Sequence, residues 1–271
     1  MNVQPHPQML ELEAIERNAW QDFALAMPQD LVEETGLRTQ DLNSAFLFLA
    51  ANVPEFQFNW LSGAGLNGDD GRSIPQAVQR FREVNQRTFL IHLPPGPNFG
   101  HCEMLARAEG LRENPLAYAK FYRTTVDLPS LHFSLRTRSI GVEERDVFGA
   151  TATEGFGMQA SMARWFAQLV GRDNWHTYVS FAGDEPVGAA AMYVRGTYAW
   201  LGIGATRPEM RRRGSQSALL VRRLSDAARV GAKHATVETG VPRPGEAATS
   251  YANIRRAGFS VAYQRPNWGE P

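Results

Sequence analysis

Thr206 to Leu220, TRPEMRRRGSQSALL, sets Arg211, Arg212, Arg213 and Gly214 directly ahead of an apolar helical run. A glycine loop that opens a helix suits an anion, because the N–H groups of the first turn lack helical partners and the helix dipole favours negative charge there. Gly214 allows close backbone approach and backbone angles that other residues avoid. The arginines add charge. Taken alone, the stretch reads equally as a solvated basic turn, so its surroundings must decide. It is no nucleoside-triphosphate loop, since G-x-x-x-x-G-K-[ST] is absent, and Gly202, Gly204 and Gly214 lack dinucleotide-binding spacing.

Upstream, WHTYVSFA, PVGAAAMYVR and YAWLGIGAT, separated by Gly183-Asp-Glu185 and Gly196-Thr197, read as three hairpin-linked antiparallel strands. Before them, HFSLRTRSIGVEER carries strand signals, and Met158, Met162, Trp165, Phe166 and Leu169 form a helical stripe. Downstream, Leu220, Leu224 and Ala227 share a helix face, HATVETG (234–240) is a strand, and SYANIRRAGF passes through Gly258 into the strand SVAYQRPNW.

The first half repeats this order in part. Leu12, Ile15, Ala19, Phe23 and Met27 make an apolar helical stripe closed by Pro28. AFLFLA and EFQFNW read as strands, Ser73 caps a helix with Pro75 in its first turn, and RTFLIHLP reads as a buried strand. A short helix over His101 to Ala108 leads into LAYAKFYRTT as a further strand. LARAEGLRENPLAYAKFYR (105–123) matches NIRRAGFSVAYQRPNW (253–268) in order: a short basic-apolar helix, a glycine, and a strand with an Ala-Tyr pair. Val126 to Ser130 then joins two units, 1–128 and 129–271.

With 271 residues, 43% hydrophobic and 21% charged, the chain has a globular composition and room for two domains. The formal net charge is zero, which gives no global pull toward nucleic acid or an anionic membrane. No apolar run is long enough to span a bilayer, and the first residues lack a signal-peptide pattern, so a cytoplasmic protein is expected. Cys102 stands alone and the six histidines show no ligand spacing, so no metal is expected.

Three antiparallel strands, then Pro208 to Gln216, a helix, a strand, and a short helix ending in Arg256-Ala-Gly258-Phe259 resemble the GCN5-related N-acetyltransferase (GNAT) superfamily. The resemblance covers about Ile140 to Trp268. It implies an α/β fold of the α+β type, with two tandem GNAT-like domains, each a mostly antiparallel mixed sheet flanked by helices. It also implies that acetyl-CoA is the acyl donor. Main-chain groups of Arg211, Arg212, Arg213, Gly214, Ser215 and Gln216 would hold its pyrophosphate, with Gln216 in place of the family's usual small residue. Gly204, Ala205 and Thr206 would pair with the pantetheine arm, and Asn253 matches an asparagine that many members place near the cofactor. The amino-terminal half resembles a degenerate partner domain, whose loop Leu66-Asn-Gly-Asp-Asp-Gly71 sets Asp69 and Asp70 where a working loop carries positive charge.

The family reaction is direct attack of an amine on the thioester, with a backbone N–H stabilising the oxyanion. A general base and acid are needed. The usual central-strand carboxylate is absent from TYAWLGIGA, and Ile254 stands where the family has a tyrosine. Glu238 is therefore the expected base and Tyr251, one helical turn before Ile254, the expected acid. Glu238 also reads as a loop cap or arginine partner, and Tyr251 as a packed phenol. Phe58 and Trp60 read as core or as walls of an acceptor cleft. The expected activity is acetyl-CoA-dependent N-acetyl transfer to a small-molecule amine or an exposed amino group, by a monomer or homodimer. A non-catalytic acyl-CoA binding or sensing protein is the alternative, and a nucleic-acid module using the arginine patch is a third reading.

Overall fold

The computed structural model describes residues 6–128 and 133–271. The expected join at Val126 to Ser130 runs partly outside these residues, as does His132. Two helices open the chain, α1 (Met9–Leu25) and α2 (Gln29–Thr35), followed by β1 (Leu37–Leu42), β2 (Ala45–Ala50) and β3 (Asn59–Ser62). Helix α3 (Ser73–Glu83), β4 (Leu90–His92), α4 (Phe99–Ala108) and β5 (Arg112–Thr124) complete the first half. The second half comprises β6 (Arg136–Ser139), α5 (Arg145–Phe156), α6 (Ala163–Ala167), β7 (Trp175–Ala182), β8 (Glu185–Arg195), β9 (Tyr198–Trp200) and β10 (Gly204–Thr206). It ends with α7 (Ser215–Arg229), β11 (His234–Gly240), α8 (Thr249–Arg256) and β12 (Ser260–Gly269).

All the strands join one sheet in the order β1-β2-β3-β4-β12-β5-β11-β9-β8-β7-β6, with β10 also paired to β8. Only the β3–β4 and β9–β11 pairs are parallel. The expected mostly antiparallel mixed sheet flanked by helices is borne out. Near its middle the two halves exchange strands: β12 enters between β4 and β5, and β5 enters between β11 and β12. The repeated Ala-Tyr strands face each other there, with Tyr118 opposite Arg265, Ala119 opposite Gln264 and Lys120 opposite Tyr263. This register places a local two-fold relation between Ala119 and Gln264.

Several local readings differ from the structure for identifiable reasons. Phe56–Phe58 forms a 3-10 turn before β3, because Asn59 uses its side-chain amide on the carbonyls of Val53 and Glu55 and so draws the chain into a bend. The stripe from Met158 to Leu169 breaks into a 3-10 turn and the short α6. Helix α5 lies in a stretch to which the sequence patterning assigned no element; its burial of Phe148, Thr151 and Ala152 overrides the poor helix propensity of its glycines and threonines. YAWLGIGAT is two strands, not one, interrupted at 201–203, where Ile203 has φ +48°. A β-branched residue in the left-handed region is strained, and the strain falls where the sheet opens.

Candidate active site

From β9 onward the sheet splays. Tyr198 to Trp200 pair with His234 to Thr236 on β11, but beyond the interruption β10 keeps only β8, while β11 continues along β5. The opening is held from beneath by Arg223 on α7, which is buried and donates from Nη1 to the carbonyls of Ala191, Leu201 and Gly202 at 2.9, 2.9 and 2.8 Å. Burial lowers the Arg223 pKa to about 10, Tyr178 opposing. Arg223 sits three residues after Leu220 on the apolar stripe of α7, and that interruption was its signal in the sequence.

Two cavities meet at this splay, sharing Phe156, Gly204, Gln216 and Ser250. The first, of about 1020 Å³, is lined by Gly204, Ala205, Thr206, Arg211, Arg212, Gly214, Ser215, Gln216 and Asn253, so these expected cofactor residues come together. Arg213 does not line it and turns toward the Met210 sulfur, 3.7 Å away. Gly214 precedes α7 with φ +89°, no side chain caps the helix at that position, and the nearest atom to a Cβ there would be Phe133 Cδ1 at 3.8 Å. Among the described residues, then, the first-turn N–H groups of this loop receive no side-chain cap. Ser215 Oγ lies 2.8 Å from Ser180 Oγ and 3.1 Å from Thr206 Oγ1, tying the helix start to β7 and β10. Arg211 donates to the carbonyls of Thr206 and Gly155. Asn253 Nδ2 donates to Gln216 Oε1 at 2.6 Å, and Gln216 Nε2 to Ser250 Oγ at 2.9 Å, which links α7 to α8 across the groove. Arg256, on the same wall, was not singled out in the sequence. This donor set of backbone N–H groups, arginines and amides fits a diphosphate, and the splayed strand edge fits an extended arm carrying amides.

The second cavity, of about 450 Å³, lies between the two halves. Phe58 and Trp60 prove to be both core and wall, being nearly fully buried and on its lining. Its polar end is a network drawn from five segments, α1, β5, β9, β11 and β12. Glu238 on β11 accepts from Trp200 Nε1 at 2.9 and 3.0 Å and from Lys120 Nζ at 3.2 Å. Lys120, 1% exposed, also pairs closely with Glu16 of α1. Glu16 accepts from Arg265 Nη1 and Nη2 at 2.9 and 3.2 Å, and Arg265 reaches Glu13 at 3.1 Å. Tyr263 donates to Glu13 at 2.7 Å.

Two carboxyls in this network are pushed in opposite directions. Burial opposes charge on Glu16, but Arg265 and Lys120 outweigh it and hold the carboxyl well below its ordinary value. For Glu238, burial and then the Glu16 carboxylate push the carboxyl up, against Lys120 and Arg265. Burial opposes the Lys120 charge too, yet Glu16 and Glu238 keep its pKa above ordinary. Carboxyls pushed apart in this way divide into a lasting anion and a group that holds a proton more readily than an ordinary carboxylate.

Tyr251 is not brought to either cavity. Its ring lies edge-on to Phe121, with centroids 4.9 Å apart, and packs on the core under α8. Glu16, Lys120, Arg265 and His92 were not singled out as site residues, although Lys120 and Arg265 occupy matching positions in the repeated Ala-Tyr strands. No helix among the described residues is long and apolar enough to cross a membrane, and no group of His, Cys, Asp or Glu among them is placed to hold a metal ion.

No family model matches the chain, and no curated protein does. Solved structures do. A GCN5-related N-acetyltransferase from Kribbella flavida is similar at TM-score 0.59 and 15% identity, covering 92% of this chain and 95% of its own. One from Sphaerobacter thermophilus gives 0.57 and 18%, covering 83% and 75%. A tandem GNAT protein from the clavulanic acid biosynthesis pathway gives 0.55 and 17%, covering 83% and 77%. The chain has the GCN5-related N-acetyltransferase fold, in an arrangement shared with a tandem GNAT protein.

Proposed function

We propose that the protein is an acetyl-CoA-dependent N-acyltransferase whose carboxy-terminal half, 129–271, binds the donor, while the amino-terminal half, 1–128, walls the acceptor cleft. The observation that carries this reading is the meeting of the two cavities at Gly204: an anion cradle at one end and a raised carboxyl, Glu238, at the other. Acetyl-CoA supplies the activated acyl carbonyl. The loop from Arg211 to Gln216 holds the diphosphate on its N–H groups, and β10 offers its free edge to the pantetheine amides. Glu238 takes a proton from the acceptor ammonium, which frees the nitrogen lone pair. The new N–C bond forms as C–S breaks, one of the two remaining amine protons goes to the departing sulfur while the other stays on the amide, and the proton on Glu238 passes to solvent.

Trp200 Nε1 and Lys120 aim Glu238. Tyr251, packed on Phe121, takes no part in this scheme. The absence of Tyr251 from both cavity linings favours a second reading, a non-catalytic acyl-CoA sensor. Calorimetry with acetyl-CoA followed by a thiol-release assay over a panel of amines separates the two. Binding with turnover supports the enzyme. Binding without release of free thiol favours the sensor, and no binding by folded protein removes both.

A further inference from the structure

The polar end of the cleft holds one carboxyl more than it holds cations. Glu13, Glu16 and Glu238 stand against Lys120 and Arg265, three carboxylates to two cations. His92, on the same lining, adds nothing to the count, because burial and then the Arg265 charge keep its imidazole neutral. Glu16 is engaged by both cations, which leaves Glu238 as the carboxylate able to receive a guest. A buried charge is tolerated when it is paired and hydrogen-bonded, so one ammonium on Glu238 brings the cluster to balance. A second ammonium would find no free carboxylate, since Glu16 and Glu238 are the acidic side chains on the lining.

Much of the rest of the wall is aromatic. Trp20, Phe56, Phe58 and Trp60 come from the amino-terminal half, and Phe156 and Phe166 face them from the other. His92 stacks on Trp60 at 5.5 Å with an interplanar angle of 13°, and its buried Nδ1 has no hydrogen-bond partner among the described residues. His92 thus sets a polar edge among these aromatic side chains, with Gln57, Gln216, Thr239 and Ser250 elsewhere on the lining. A ring entering the cleft removes apolar surface from water on both of its faces.

We propose that the acceptor is a primary monoamine bearing a flat aromatic group, with its ammonium on Glu238 and its ring against the wall of Trp60 and its aromatic neighbours. The proposal rests on the acyltransferase reading for its chemistry but not for its binding site.

The test is titration of the full chain with phenethylamine, ethylamine, putrescine and phenethyl alcohol, followed by tryptophan fluorescence, first without and then with acetyl-CoA. Phenethylamine is expected to bind roughly 30-fold more tightly than ethylamine, the worth of burying a phenyl ring. Putrescine and the neutral alcohol should bind weakly, and thiol release should follow the same ranking. Trp60→Leu should shrink the phenethylamine-to-ethylamine ratio, with acetyl-CoA affinity on the same preparation reporting that the fold is kept; an unchanged ratio counts against the proposal. Ethylamine or putrescine binding as well as phenethylamine overturns it, and so does equal binding of the alcohol. A protein that ranks the amines as stated yet ignores acetyl-CoA defeats the acyltransferase reading alone. One that takes acetyl-CoA but fails the ranking defeats the acceptor class alone.

Discussion

The loop before α3 and the loop before α7 occupy corresponding places in the two halves, and they treat the same local geometry in opposite ways. Before α7 no carboxylate among the described residues fills the cradle, Gly214 has only Phe133 Cδ1 within 4 Å of where a Cβ would stand, and arginines line the rim. Before α3 the cradle is filled by the chain itself. Asp69, 1% exposed, accepts from the N–H groups of Gly65 and Gly71 at 2.8 and 3.1 Å and from Ser73 Oγ at 2.9 Å. Its carboxylate stands where an anionic ligand would sit. Helix α4 closes the space above: a Cβ on Gly71 would meet Leu105 Cδ1 at 2.9 Å and Cys102 Sγ at 3.0 Å. Burial, then Asp69 and Asp70, push the Cys102 thiol up to about 11, so it is an inert part of that packing. Asp70, expected to repel a pyrophosphate, instead pairs with Arg72 at the surface, 2.6 Å away. A glycine loop at a helix start makes an anion site in both halves, and a single buried aspartate decides whether the anion comes from outside.

The sharpest way to break this asymmetry is to remove Glu238, the proposed base, which the half with the open loop supplies. Glu238→Gln should lower kcat by about a hundredfold or more while acetyl-CoA binding, measured by calorimetry, stays close to that of the parent chain. The parent rate should rise with pH through the elevated Glu238 value. Stability runs the other way. A carboxyl whose folded pKa lies above its unfolded one contributes stability at low pH that is lost as pH rises through the folded value. The substitution should therefore raise Tm more at about pH 8 than at about pH 5.

Gly214→Val forces a branched side chain into φ +89° over the open cradle and should weaken acetyl-CoA binding by roughly a hundredfold. Gly71→Val should register in Tm rather than in ligand binding, because its neighbours are core side chains. If Gly71→Val changes acetyl-CoA affinity as much as Gly214→Val does, the contrast between the loops fails. Asp69→Ala bares three buried donors and should cost about 2 kcal/mol of stability in denaturant melts, whereas Asp70→Ala should leave the melt unchanged. The smallest effect belongs to Arg212→Ala, about threefold in acetyl-CoA affinity and reduced further by salt. Equal losses for Arg212→Ala and Gly214→Val would return the loop to a plain electrostatic patch.

Much of the donor site was legible because it is local: loop, glycine and helix start lie within one stretch, and their chemistry follows from their order. The place of Glu238, the proposed base, was legible for a similar reason, as the carboxylate on the strand beside the splay. The acceptor cleft was not. Glu16, Lys120, Glu238 and Arg265 come from α1, β5, β11 and β12, and only the strand exchange brings them together. Sequence patterning showed that LAYAKFYR and SVAYQRPNW are alike, yet gave no means to see that each pairs with the other across the molecule. Tyr251 shows the limit of helical spacing as a guide. It does lie one turn from Ile254, but spacing does not say which way that face looks, and here it looks onto Phe121.

The exchanged strands also set a timetable for synthesis. Both neighbours of β5 come from residues 234–240 and 260–269, and β4 meets β5 only through β12. As the chain leaves the ribosome, the amino-terminal half can dock α3 and α4 onto β1 to β4, but β5 must wait with both edges bare. The centre of the sheet closes only after the carboxy-terminal half has emerged, so this molecule completes its folding late, and a chaperone that shields bare strand edges has its longest task at Arg112–Thr124.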